Sequence, residues 1–128
     1  MNPTPQKILR TVCRLLCGLC LVLPAFVQAA AAAKTYTIGM IGKSQGNQFF
    51  MAAHSGAVDG AKELGAKYGA TIKIDWRTPN EEDAQKQADT IEQLILAGVD
   101  GIIVSCSDGS KLTDAINKAV ARGIPVAT

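Results

Sequence analysis

A chain of 128 residues with 13 lysines and arginines against 11 aspartates and glutamates has room for one small domain and a leader. Three of the basic residues, Lys7, Arg10 and Arg14, precede position 30, so the remainder is close to neutral. The basic excess belongs to the N-terminal stretch, which argues against a nucleic-acid-binding surface.

That stretch has the layout of a secretory signal peptide. After the basic start, Leu15 to Leu23 is an apolar run interrupted only by Cys17, Gly18 and Cys20. Pro24 breaks it, and Val27-Gln28-Ala29 supplies small residues at the −3 and −1 positions of a cut after Ala29. An uncleaved spanning helix needs about 20 apolar residues, more than this run offers. The expected division is a signal peptide over 1–29 and an exported domain over 30–128. Cys13, Cys17 and Cys20 leave with the signal. Cys106, alone in the exported part, has no internal disulfide partner and reads as a small apolar filler at a strand end.

Strand and helix signals alternate along the rest. Tyr36–Ile41 reads as a first strand. Phe50, Ala53, Ala57, Ala61 and Leu64 recur at helical spacing, and Gly65 and Gly69 are expected to close that helix. Thr71–Asp75 alternates as a second strand, followed by a loop, 76–80, containing Pro79. Glu81, Glu82 and Asp83 suit the positive end of a helix dipole, so they are expected in a first helical turn. Ala84, Ala88, Ile91 and Leu94/Ile95 form that helix's apolar stripe, ended by Gly98. Gly101–Ser105 is a continuous apolar run, as expected of a strand buried on both faces. Leu112, Ala115, Ile116, Ala119 and Val120 make a third stripe ended by Gly123, and Ile124–Thr128 starts a fourth strand.

Such alternation implies an α/β fold, a doubly wound parallel sheet covered on both faces, and the right-handed crossover rule favours the strand order 2-1-3-4. The ligand crevice of such a sheet lies between strands one and three, at their carboxyl ends. The loops there are 42–48 and 106–110. The sequence ends inside or just after strand four with no helix behind it, which reads as a truncated chain or a gene fragment.

Catalytic patterns do not emerge. The glycines at 39, 42 and 46 match neither dinucleotide nor phosphate-loop fingerprints. His54 falls beside a helical stripe and reads as a boundary residue. No His/Cys group has metal-ligand spacing, and no cofactor is expected. A binding role fits better. If Phe50 starts the buried stripe, Phe49 is turned about 100° away, free to face the crevice. An aromatic face stacks on the C–H face of a sugar, and Asn47 offers a donor and an acceptor for hydroxyls. Packing of both rings in the core is equally compatible with the pattern.

The segments I-G-M-I-G-K-S-Q-G-N-Q-F-F (38–50), G-A-V-D-G-A-K-E-L-G (56–65), T-P-N-E-E-D-A-Q-K-Q (78–87), I-E-Q-L-I-L-A-G-V-D-G-I-I-V-S (91–105) and A-I-N-K-A-V-A-R-G-I-P-V-A-T (115–128) together resemble the type I periplasmic sugar-binding proteins of ABC transporters, the ribose/galactose-binding type. The resemblance runs in order through the chain after the signal, as the N-terminal lobe of such a protein. It implies two α/β lobes closing on a sugar in the periplasm, delivery to a membrane permease, and a monomer at full length. It also implies ligand contacts at Asn47, Phe49 and Phe50, at Ser105 and Asp108 in the loop after strand three, and at Lys43 at the mouth of strand one. Gln48 stands where the family commonly has proline. The aspartate that in the family follows strand four falls beyond Thr128, as do the hinge and second lobe. A regulator of the lactose-repressor type shares this lobe but needs a helix-turn-helix where this chain has its signal. A ligand-sensing lobe of a membrane-anchored receptor is the alternative, and it requires the N-terminal segment to stay uncleaved.

Overall fold

The computed structural model describes residues 32–128. The signal-peptide assignment falls outside them. Four strands, β1 (Thr35–Ile41), β2 (Thr71–Trp76), β3 (Gly101–Val104) and β4 (Val126–Ala127), alternate with three helices, α1 (Gln48–Tyr68), α2 (Ala84–Ala97) and α3 (Gly109–Ala121). All pairings are parallel and the order is β2-β1-β3-β4, the doubly wound arrangement that the alternation implies.

Helices α2 and α3 cover one face of the sheet. Ile91, Leu94 and Ile95 of α2 and Leu112, Ala115 and Ala119 of α3 pack with Ile41, Ile102 and Val104 in one buried cluster. Fully burying each of the larger side chains contributes about 1.5–3 kcal/mol. Gly39 sits under α2 because nothing larger fits: a Cβ there would lie 2.5 Å from a Leu94 methyl. On the other face, α1 lies beside an apolar trough of about 400 Å³ whose walls include Tyr36, Ile38, Leu64, Ile72 and Ile103.

That trough corrects two expectations. Strand β3 is buried on one face only, because its side chains alternate and Ile103, pointing to the α1 side, stays 43% exposed. Leu64, expected in the buried stripe of α1, is exposed for the same reason. At the far end of the sequence's third stripe, Val120 is exposed as well.

Helix ends differ from the sequence pattern in instructive ways. Gly65 does not close α1 but lies inside it, where the backbone of Ala70 crosses so closely that a Cβ would meet the Ala70 carbonyl oxygen at 2.7 Å. The chain turns instead at Gly69, which has φ 64°. Glu81 and Glu82 precede α2 rather than forming its first turn. Asp83 is the N-cap, its carboxylate accepting from the Lys86 N–H at 3.0 Å. That hydrogen bond holds the Asp83 carboxyl below its ordinary pKa.

Candidate functional site

A parallel sheet sends every strand's carboxyl end to the same edge, so the loops 42–47, 77–83 and 105–108 and the terminal Thr128 gather there. At the ends of β1 and β3, beside the start of α1, opens a cavity of about 230 Å³ lined by Met40, Gly42, Phe49, Phe50, Ser105 and Thr128 among others.

Of the two arrangements that the stripe of α1 allows, the phenylalanines adopt the divided one. Phe50 is 8% exposed and packs under β1 so tightly that a Cβ on Gly42 would lie 2.9 Å from its ring. Phe49, one residue earlier on the helix, is 71% exposed. The rings meet edge to face, with centroids 5.2 Å apart and planes at 86°, the geometry that aromatic quadrupoles prefer. Phe50 thus braces Phe49, which stands at the lip of the cavity.

Asn47 is the N-cap of α1, its Oδ1 accepting from the Phe49 N–H at 2.9 Å. Capping commits the acceptor and leaves the amide NH₂ to project from the loop. Asp108 has the matching place on α3: its carboxylate accepts from the Ser110 hydroxyl at 2.6 Å and from the Ser110 and Lys111 N–H groups at 2.9 and 3.3 Å. Led by the Ser110 hydroxyl, these donors hold the Asp108 carboxyl below its ordinary range. Capping was not part of the sequence reading of Asn47 or Asp108. Lys43 reaches across to Glu82, with Nζ 3.4 Å from Oε1, so its charge is shared between two loops. Ser105 follows β3 directly, and its N–H donates to the Ile41 carbonyl at 2.9 Å. The structure thus brings Phe49, Phe50 and Ser105 around one cavity. Lys43, Asn47 and Asp108 stand on the loops around it.

Two polar residues that the motif reading passed over build this edge. Thr78, almost fully buried, accepts the Gly42 N–H on Oγ1 at 2.6 Å, while its carbonyl accepts from Gln45 Nε2 at 2.7 Å. Gln87 on α2 is fully buried and bonds to Gly42, Ser105 and Ser107. A glutamine on the apolar side of a helix otherwise filled by Ile91 and Leu94 was the available signal, since such a group is buried only where it finds partners. Farther out, His54 stacks on Trp76 with ring centroids 4.6 Å apart, and Cys106, a free thiol, packs against the core cluster.

Comparison with known proteins agrees with this fold. The family model of the periplasmic binding protein domain matches residues 38–128. The ribose import binding protein RbsB of Bacillus subtilis is 34% identical over 95 residues, which make up 74% of this chain and 29% of that protein. The D-ribose/D-allose-binding protein of Pseudomonas aeruginosa is 29% identical over 89 residues, 70% of this chain and 27% of the relative. Among solved structures, an ABC transporter periplasmic solute binding protein from Actinobacillus succinogenes with bound D-allose superimposes with a TM-score of 0.63 at 26% identity, covering 71% of this chain and 30% of that one. The chain therefore spans less than a third of the length of the relatives it matches.

Proposed function

The chain belongs to the periplasmic binding protein family, and on that premise we propose that it is the sugar-contacting N-terminal lobe of an exported solute-binding protein serving an ABC importer. The observation that carries the reading is Phe49. A phenylalanine 71% exposed to water, braced edge to face by a buried partner at the lip of the strand-end cavity, is an apolar platform prepared for a ligand. In this reading a sugar ring stacks on Phe49. The Asn47 amide and the Ser105 hydroxyl bond its hydroxyl groups, and Lys43 and Asp108 flank the entrance. The role is capture, without a chemical step. A second lobe supplies the opposite wall and the closure that withdraws the sugar from water.

A pentose or a closely related hexose is the favoured ligand class, supported by relatives named for ribose and allose. Isothermal titration of the full-length protein with D-ribose, D-allose, D-galactose and L-arabinose tests this. Micromolar binding of one of them, about −8 kcal/mol, is expected. Binding of an amino acid or another non-sugar solute, with no sugar bound, would refute it. Export is read from residues 1–29, and the N-terminal residue of the protein in a periplasmic extract, expected near Ala30, tests that separately.

A further inference from the structure

We propose that Gln87 is a positioning residue of the crevice: it fixes the loop that leads from β1 into the phenylalanine pair and the loop bearing Ser105 in one register, without touching the ligand. Its Nε2 donates to the Gly42 carbonyl at 2.9 Å and to the Ser105 carbonyl at 2.9 Å. Its Oε1 accepts from the Ser107 N–H at 2.9 Å. The orientation of the amide is settled by these partners, since two carbonyls demand the NH₂ end and one N–H demands the oxygen. The side chain is fully buried, so water does not substitute for any of the three.

The connection matters because two of the partners, Gly42 and Ser105, line the cavity. Gly42 lies against the Phe50 ring, and Phe50 braces Phe49. Ser105 lines the cavity itself. Gln87 stands one helical turn before Ile91, whose burial in the core cluster anchors α2. A rigid helix therefore reaches through one side chain to both loops, which are separated in sequence by about sixty residues but face the same space. No other side chain among the described residues has hydrogen bonds recorded to both loops.

The ligand arm of this inference rests on the sugar-binding reading, so the test has two readouts. In full-length protein, Gln87→Leu is expected to accelerate amide exchange at Ser107 by about tenfold or more, the equivalent of one lost hydrogen bond. The Ile102 amide, bonded to the Pro125 carbonyl at 2.9 Å, keeps its protection. The D-ribose Kd rises by about tenfold by the same conversion. Gln87→Glu has the same shape but presents a carboxylate to two carbonyls. At neutral pH it keeps an acceptor for the Ser107 N–H but loses both donors, so it weakens D-ribose binding as the leucine variant does, and it regains affinity on acidification, as the protonated acid recovers one donor. Burial raises that carboxyl's pKa toward the working range. Wild type carries the other charged groups of this edge, Lys43, Glu82, Asp83 and Asp108, and serves as the control for them.

Unchanged exchange at Ser107 in Gln87→Leu, together with an unchanged Kd in both variants, would overturn the proposal. Equal acceleration at Ser107 and Ile102 would also overturn it, by making Gln87 a general stability residue. If Gln87→Leu fails to fold, the acid recovery of Gln87→Glu decides, and its absence counts against the proposal. Wild-type protein that binds no sugar refutes the sugar reading alone, and Ser107 exchange still decides the role of Gln87.

Discussion

Replacing Phe50 with alanine removes a ring that is 8% exposed and wedged beneath Gly42 at the end of β1. Loss of a buried phenylalanine, with the cavity it leaves, costs about 3–5 kcal/mol. Replacing Phe49 removes a ring that is 71% exposed. It loses the edge-to-face contact with Phe50, about 0.5–1.5 kcal/mol. Urea unfolding, followed by the fluorescence of Trp76 where it is resolved, should therefore separate the two variants by roughly 1.5 kcal/mol or more. Affinity should separate them in the opposite sense. An exposed ring that becomes buried under a ligand is worth about 1.5–3 kcal/mol, so Phe49→Ala should weaken sugar binding about 10- to 150-fold. Phe50→Ala should weaken it less where the protein remains folded. A Phe49→Ala variant that loses as much stability as Phe50→Ala, or binds sugar as tightly as wild type, would refute the division of the pair into brace and platform.

Gly65→Ala should destabilise the protein even though alanine is the better helix former by about 1 kcal/mol. The new Cβ would meet the Ala70 carbonyl oxygen at 2.7 Å, an overpacking cost of about 1–3 kcal/mol. Gly56→Ala on the same helix meets nothing within 4 Å and should stabilise it, and thermal unfolding of the two variants checks the contrast. The carboxyls of Asp83 and Asp108 are both held below their ordinary range by the N–H and hydroxyl donors they cap. A depressed carboxylate stabilises the fold fully above the unfolded-state value, about pH 4, and the contribution is lost as pH falls through the folded-state value. Urea midpoints measured down the acid limb should therefore decline. Asp108→Asn, which keeps the cap but cannot titrate, should decline less steeply. An unchanged acid limb in that variant would place the pH dependence elsewhere.

The amino-acid sequence by itself determined the alternation of elements, the sheet order and the edge at which the loops after the strands gather. Those follow from local rules: side chains repeat every 2 residues in a strand and every 3.6 in a helix, and crossovers are right-handed. Hence Ala84, Ala88, Ile91, Leu94 and Ile95 marked the buried side of α2, and Gly98 its end. Periodicity sets the phase of a side chain within its element but not what is packed opposite. Only the tertiary structure put Phe50 beneath Gly42 with Phe49 in water, left Ile103 uncovered on a strand of apolar residues, and drove the Ala70 backbone against Gly65 inside a helix. Polar side chains carried the least local signal. Asn47, Asp83 and Asp108 became caps, each bonding to backbone two or three residues away. Gln87 found its partners at Gly42, Ser105 and Ser107, positions that are remote in sequence. They are neighbours only because parallel strands deliver their carboxyl ends to one edge, where a buried amide must have all its hydrogen bonds supplied by the chain itself.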